Sequence, residues 1–255
     1  MKTEALSFVI AMLFVIVACE KEENMPYSPL NERTTAQFNP MKNYGMVTDI
    51  DGNIYKTIII GDQEWMAENL RVTRYQNGDS LVHTRITPTS RDFGDTNYLD
   101  EFDCGAYCSY NDTENLDTIA TYGLLYNGYA ALDERNIAPK GWRVPNNNDW
   151  KKLLNYLSDH GSDSIASLKL KEKGNLHWED NIDSPFLNIS GFTALPGKLS
   201  QVEQMSYGES AIFWSTTKAN GRLVTFNIYN SNRTCIELSA DISGYNIRCI
   251  KNKKQ

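Results

Sequence analysis

The feature that most constrains this 255-residue chain lies at its N-terminus, where a short apolar run ends at Cys19. Lys2 supplies a positive start, residues 6–17 are mostly apolar, and Ala18 is the small residue that a processing peptidase needs just before the cut. The run is shorter than the roughly 20 apolar residues of a membrane-spanning helix. The pattern predicts a signal peptide over residues 1–18 and lipid attachment at Cys19. An ordinary secretory signal with a chance cysteine is the alternative.

Charged residues follow this cysteine at once, in the order Glu20-Lys21-Glu22-Glu23. A lysine followed by acidic residues at this place resembles the export signal of surface lipoproteins in some Gram-negative bacteria. We therefore expect an outer-membrane lipoprotein that is exposed at the cell surface, with a solvated charge run as the alternative reading. Residues 24–43 contain three prolines and few periodic apolar positions. Residues 19–43 are therefore predicted to form a flexible tether.

Residues 44–255 remain for the folded part, which is enough for one domain with a sizeable core. The formal net charge is −7, and the lysines and arginines are scattered along the chain. An acidic surface repels phosphate, so these features exclude nucleic acid as a partner. Aromatic residues make up 11% of the chain, and many lie beside Asn, Gly and Ser. That mixture is typical of a loop-rich secreted fold.

Four cysteines besides the lipid-attachment residue fall in the folded part, namely Cys104, Cys108, Cys235 and Cys249. An even number in an exported protein predicts two disulfides. Close spacing favours pairing of Cys104 with Cys108 and of Cys235 with Cys249, although spacing alone does not fix the geometry. Free thiols are the alternative.

The sequence indicates neither a metal site nor a cofactor. Its three histidines, His83, His160 and His177, form no pair with the spacing of metal ligands. The stretch 49–53 begins like a calcium-binding loop, but Ile60 stands at the twelfth position, where such a loop needs Glu. A hairpin turn is the better interpretation of this stretch.

Local signals predict both helices and strands. The turns Asp51-Gly52 and Gly61-Asp62 separate short apolar runs, which indicates a meander of strands. Asn146, followed three residues later by Asp149, is a helix-capping pattern before an apolar face of helical period. Most of the chain after residue 190 has the composition of strands and loops. The balance predicts an α+β fold with a mainly antiparallel sheet.

Ordered sequence blocks then resemble the Fibrobacter succinogenes major paralogous domain over about residues 46–251. The blocks are Asp51-Gly52-Asn53-x-Tyr55-Lys56-Thr57, Gln63-x-Trp65-Met66-Ala67-Glu68-Asn69-Leu70, Gly105-Ala106-Tyr107-Cys108, Tyr122-Gly123-x-Leu125-Tyr126-Asn127, Gly141-Trp142-Arg143-Val144-Pro145, Gly191-Phe192-Thr193-Ala194-Leu195-Pro196-Gly197, Phe213-Trp214-Ser215-Thr216-Thr217 and Arg248-Cys249-Ile250.

This resemblance implies a C-type-lectin-like fold with an irregular, mainly antiparallel sheet and a few flanking helices. It implies a secreted or surface location and supplies no established reaction. Family members typically carry a cysteine before the Pro-x-Gly-Trp block, but this chain has Ala138 there. Cys249 therefore pairs elsewhere or stays free. The Glu-Pro-Asn and Gln-Pro-Asp motifs of calcium-dependent lectins are absent from the sequence, so any sugar binding is expected to be independent of calcium.

Sequence motifs for catalysis are also missing. The chain has no Gly-x-Ser-x-Gly elbow and no phosphate-binding glycine loop, and its 32 acidic residues cannot be ranked as catalytic pairs. We expect a non-catalytic binding module for a glycan or a surface protein, or alternatively a structural component of a surface assembly. Aromatic rings stack on sugars. The candidate ligand-binding residues, each also interpretable as a packing residue, are Tyr107, Tyr110, Tyr207 and Tyr229.

Overall fold

The computed structural model describes residues 26–84, 87–88, 97–98, 103–158, 163–174, 176–178, 187–197, 210–241 and 243–253. Its elements are, in chain order, β1 (Gly45–Thr48), β2 (Ile54–Ile60), β3 (Gln63–Met66), β4 (Val82–His83), β5 (Thr87–Pro88), β6 (Asn97–Tyr98), β7 (Ala106–Cys108), a one-turn 3₁₀ helix (Tyr110–Asp112), α1 (Leu116–Tyr122), β8 (Leu125–Tyr126), α2 (Gly128–Leu132), β9 (Trp142–Arg143), α3 (Asn147–Leu157), α4 (Asp163–Leu170), β10 (Ser210–Ala219), β11 (Arg222–Tyr229), β12 (Thr234–Ser239) and β13 (Ile250–Lys251). This mixture confirms the predicted α+β class.

Two sheets contain most of the described strands. Five strands pair in the order β1-β2-β3-β13-β9, and three pair in the order β10-β11-β12. The pairs in both sheets are antiparallel. A smaller sheet, β4-β7-β8, contains the parallel pair β4 and β7, and β5 pairs with β6. The C-terminal strand β13 lies between β3 and β9, so the two ends of the domain meet in one sheet.

The turn between β1 and β2 is organised by one carboxylate. Asp49 Oδ1 accepts hydrogen bonds from the backbone N–H groups of Asp51 (2.9 Å) and Asn53 (3.0 Å). Its other oxygen accepts from Asn53 Nδ2 at 2.9 Å and from the Tyr55 hydroxyl at 2.5 Å. Gly52 has a φ of +79°, which favours glycine. The predicted hairpin is confirmed, and the Asp49 carboxylate binds the turn itself.

The helix α3 forms where the capping pattern predicts it. The Asn146 side chain accepts from the Asp149 N–H, and the Asp149 side chain accepts from the Asn146 N–H, which completes a capping box. Arg143 donates to both oxygens of Asp149, at 2.6 and 2.8 Å. The buried face of the helix carries Trp150, whose ring stacks 4.5 Å from Phe226.

Two hydrophobic cores lie on opposite faces of the five-stranded sheet. Successive side chains of a strand point to opposite faces. In β3, Met66 therefore packs in the first core and Trp65 in the second. The same alternation places Tyr55 of β2 in the first core and Ile58 in the second. Side chains on both faces of the central strands are therefore packed in a core, whereas β1 lies at an edge of the sheet.

The sequence overestimates strand length near the C-terminal half of the domain. The block 191–197 forms only an isolated bridge, between Ala194 and Lys171, and the run 245–250 forms two isolated bridges before β13. Backbone groups there bond to the backbone of several different segments, and some bond to side chains. The Arg248 guanidinium, for example, donates to the carbonyl oxygen of Phe192 at 2.6 Å.

The N-terminal segment, defined as residues 28–39, differs from the predicted flexible tether. It has no regular secondary structure, but it makes hydrogen bonds to the domain. Asn31 Nδ2, for example, donates to the carbonyl oxygen of Gly52 at 2.9 Å. Contacts with the domain therefore begin well before residue 44. Residues 1–25, including Cys19, lie outside the described residues.

Candidate functional site

Tyr229 is a candidate residue that lies in a network of hydrogen-bonded polar side chains. It ends β11 and is half-buried. Side chains two residues apart on a strand share a face, as do residues paired across neighbouring strands. Asn227 of β11 is paired with Cys235 of β12. We call the resulting surface, formed by Asn227, Tyr229, Arg233, Cys235 and Glu237, the Tyr229 face.

Hydrogen bonds on the Tyr229 face converge on the carboxylate of Glu237. The Tyr229 hydroxyl donates to Glu237 Oε1 at 2.8 Å, and the Cys235 thiol donates to the same oxygen at 2.9 Å. Asn227 Nδ2 donates to Glu237 Oε2 at 2.8 Å and to the Tyr229 hydroxyl oxygen at 3.2 Å. Glu237 is exposed, so its carboxylate is open to a ligand while its geometry is fixed by these neighbours.

Burial leaves one polar atom of this face without a partner. Asn227 is 2% exposed, and its Oδ1 atom has no hydrogen-bond partner among the described residues. A buried carbonyl oxygen without a donor is costly, and such atoms in native proteins call for a specific explanation. Because the atom itself is buried, an internal water molecule would supply the missing bond.

The Tyr229 hydroxyl and the Cys235 thiol keep their protons at neutral pH, which favours hydrogen bonding over nucleophilic chemistry. Burial raises the pKa of Tyr229, and the Glu237 carboxylate raises it further. Burial also raises the pKa of Cys235 to about 11, so its thiol stays protonated at neutral pH. The Arg233 guanidinium lies over the Tyr229 ring, 4.9 Å from its centroid. The face thus offers fixed donors and acceptors, with neither an activated nucleophile nor a second carboxylate within its own five residues.

The other candidate tyrosines do not join this face. Tyr107 of β7 is half-buried and stacks on the exposed ring of His83, with centroids 5.0 Å apart. Tyr110 is 6% exposed and packs with Cys108 and Leu125, which is the surrounding of a core residue. Tyr207 and Cys19 lie outside the described residues.

The predicted disulfides are not formed in the structure. All four cysteines of the folded part are free thiols. Cys108 is buried beside Leu125, whereas Cys104 is only partly buried. Cys235 lies on β12 of the three-stranded sheet, and Cys249 lies in the first core next to β13 of the other sheet. Burial in the core raises the pKa of the Cys249 thiol and that of Cys108, the latter to about 12, so both remain protonated and unreactive.

A second polar cluster, which the sequence interpretation missed, joins the domain to the N-terminal segment. Glu172 is fully buried, and its Oε2 lies 2.7 Å from His177 Nδ1. A carboxylate only accepts, so Nδ1 carries the proton in this pair and Nε2 of a neutral ring accepts. The Thr35 hydroxyl lies 3.0 Å from that Nε2. Five residues separate Glu172 from His177, but 142 separate Thr35 from His177, so no local pattern reveals the cluster.

The same order of carboxylate, imidazole and hydroxyl occurs in hydrolases, but acyl transfer also needs free N–H donors for an oxyanion. The backbone N–H groups around Thr35 are already used. Those of Thr35, Ala36 and Gln37 donate to Thr121 Oγ1, Thr34 Oγ1 and Glu172 Oε1, respectively. What the contacts show is that the cluster binds the N-terminal segment at Thr35 and Gln37.

The part of the chain that the structure describes contains neither a candidate metal cluster nor a candidate membrane span. Within it, no group of three or more His, Cys, Asp or Glu side chains is placed to hold a metal ion. Likewise, none of the described helices combines the length and apolar character that a membrane crossing requires.

Comparison with known proteins places most of this chain in one family. A family model described as Fibrobacter succinogenes major domain matches residues 58–251, about three quarters of the chain. Comparison with curated proteins finds no match. Comparison with solved structures finds none either. The N-terminal segment and the β1 strand precede the matched region, whereas the Tyr229 face lies within it.

Proposed function

Since the chain belongs to the Fibrobacter succinogenes major domain family, we propose that it is a non-catalytic binding module held at the bacterial cell surface. The proposed ligand is a glycan, bound without calcium at the Tyr229 face. The observation that carries this proposal is the array of fixed polar groups around a half-buried tyrosine ring on an accessible sheet face. Amides and carboxylates bond sugar hydroxyls, and the aromatic ring contacts the apolar side of a sugar.

The proposed location rests on the N-terminal sequence. Lipid on the sulfur and amine of Cys19 would hold the protein in the outer membrane, and the charged residues after it would direct export to the surface. Cys19→Ala should leave an unacylated precursor that no longer partitions with membranes. The C-type-lectin-like arrangement is part of the same proposal. It is supported by the irregular, mainly antiparallel strands and the few helices.

A glycan array tests the proposed binding directly. The full mature chain is applied with calcium and, separately, with a chelator. We expect the same glycans to bind in both conditions, because the Tyr229 face uses side-chain donors and acceptors of the protein itself. Binding that the chelator abolishes would contradict calcium independence. A failure to bind any glycan would contradict the proposed ligand class and favour a protein partner.

A protein partner is the second candidate, because apolar side chains are exposed on the first two strands. Met46 of β1 is 77% exposed and Ile59 of β2 is 70% exposed. The strand β1 is also an edge of its sheet, where unpaired backbone groups are available to another chain. A structural role in a surface assembly would use this edge. Cross-linking on intact cells, with Met46→Lys as the variant, tests whether the edge contacts a partner.

A further inference from the structure

The N-terminal segment precedes the family match but is bound by side chains of the matched region. The Ser28 N–H donates to the Gly52 carbonyl oxygen at 3.4 Å, and the first side-chain contact is made by Asn31, which is 7% exposed. Asn31 Nδ2 donates to the Gly52 carbonyl oxygen at 2.9 Å, and Asn31 Oδ1 accepts from the Ile54 N–H at 2.8 Å. One side chain thus occupies a donor and an acceptor at the beginning of β2.

A second contact follows four residues later, at a set of side chains that we call the clasp: Thr121, Glu172, His177 and Asn188. Glu172 accepts a hydrogen bond from the Gln37 N–H, and Asn188 Nδ2 donates to the Gln37 carbonyl oxygen at 3.2 Å.

Two further residues of the segment contact the clasp. The N–H of Thr35 donates to Thr121 Oγ1 at 2.9 Å, and Asn39 Nδ2 donates to the Asn188 carbonyl oxygen at 2.9 Å. The clasp therefore binds backbone groups of Thr35 and Gln37 through its side chains, and its Asn188 carbonyl oxygen accepts from the Asn39 side chain.

The N-terminal segment donates a hydrogen bond to the buried Glu172 carboxylate of the clasp. Glu172 is fully buried, and a buried carboxylate is stable only when donors surround it. The segment supplies one of those donors, the N–H of Gln37, and orients a second through the contact between Thr35 and His177. Thr35 itself is exposed. Release of the segment would break these bonds and would also remove Phe38, which is partly buried, from its packing against the second core.

We propose that the clasp is a peptide-binding site whose occupant is the N-terminal segment of the same chain. Binding of the segment does not depend on the proposed lipid at Cys19. The lipid matters only for the consequence of binding, which is the length of unbound chain between the membrane anchor and the domain. With the segment bound, nine residues separate Cys19 from Ser28 and span at most about 30 Å. With the segment released, the 25 residues from Cys19 to Tyr44 span up to about 85 Å. Binding of the segment holds the domain close to the membrane.

Trypsin tests occupancy of the clasp, because Arg33 lies between the two contacts. Its guanidinium is bound to Asp117 and to the Pro29 carbonyl oxygen. A protease needs a released, extended stretch, so the cleavage rate after Arg33 follows the population of the open state. The full chain carrying Cys19→Ala is digested, and the product that begins at Thr34 is quantified by mass spectrometry. This test does not require lipidation, so it can fail or succeed independently of the proposed anchor.

Three variants should accelerate this cleavage by roughly tenfold or more, a factor equal to about 1.4 kcal/mol. Asn31→Ala and Thr35→Val remove contacts from the segment side, and Glu172→Gln leaves one acceptor oxygen on the clasp side where Gln37 and His177 use two. The control is Glu64→Gln, which removes a carboxylate that binds Lys251 instead. Circular dichroism identifies any variant that unfolds, and the two segment variants leave the domain core untouched.

Two results would overturn the proposal. The first is rapid cleavage after Arg33 in the chain that carries no substitution in the clasp or the segment. A rate equal to that of the three variants would mean that the clasp is empty. Protection that disappears on dilution would mean that the occupant is the segment of a second copy rather than that of the same chain.

Discussion

At the scale of single residues, Arg248 shows how a buried charge can organise irregular backbone. It is 1% exposed and its guanidinium donates to Asn69 Oδ1 at 2.6 and 3.0 Å. It also donates to the carbonyl oxygens of Phe192 (2.6 Å), Met66 (3.4 Å) and Thr193 (3.4 Å). The planar fork of arginine reaches several acceptors at once, which a lysine cannot do. One side chain thus joins segments that would otherwise have unsatisfied carbonyl groups.

Replacing this residue should therefore be costly even when its charge is kept. Arg248→Lys is expected to lower the free energy of unfolding by about 3 kcal/mol, since it leaves several buried acceptors without donors. Arg222→Lys, at the exposed start of β11, is the matched control and should change it by less than about 0.5 kcal/mol. Urea denaturation of both variants measures the difference. Equal midpoints would show that the Arg248 contacts are not needed.

At the scale of elements, local chemistry decides which parts of the fold the sequence predicts. The Asp51-Gly52 turn and the α3 cap depend on residues within a few positions of one another, and both predictions are confirmed. The contact of Arg248 with Asn69 spans 179 positions, and such a contact carries no local signal. The stretches 191–197 and 245–250 form isolated bridges instead of strands, because their backbone groups bond to several segments that are distant in sequence.

The residue after α4 provides an element-scale prediction about pH. Lys171 is fully buried, and its Nζ donates to the Asn230 carbonyl oxygen at 3.0 Å and to Asn232 Oδ1 at 2.8 Å. These bonds attach the end of α4 to the turn between β11 and β12. The bonds favour the ammonium, but burial outweighs them and lowers the pKa of Lys171 to about 8.

Because this pKa is lower in the folded state, the unfolded chain binds more protons between about pH 8 and pH 10.5. Stability from this group therefore rises with pH across that window, by at most about 3 kcal/mol. We expect the unfolding free energy of the chain, minus that of Lys171→Met, to increase from pH 7.5 to pH 10.5. The same difference for Lys151→Met, an exposed residue of α3, should stay constant. A constant difference for Lys171→Met would contradict the lowered pKa.

At the scale of the whole molecule, a sheet with a hydrophobic core on each face supports two features at the surface, the Tyr229 face and the bound N-terminal segment. The sequence predicted the α+β class and the family, because ordered blocks extend through most of the chain. Among the candidate site residues, Tyr229 lies on a polar face, whereas Tyr110 is buried. Composition cannot separate these two cases, since exposure depends on the packing of distant elements. It also could not reveal that a proline-containing segment is bound to the domain.

The measurement that tests the proposed binding site most directly is the dissociation constant of a glycan identified on the array, compared between two tyrosine variants. Tyr229→Ala removes the ring and the hydroxyl bond to Glu237, and we expect it to weaken binding at least tenfold, or about 1.4 kcal/mol. Tyr156→Ala, which removes an exposed ring on α3, is the control and should leave the constant unchanged. Equal affinities for the two variants and the unaltered chain would contradict a binding site at the Tyr229 face.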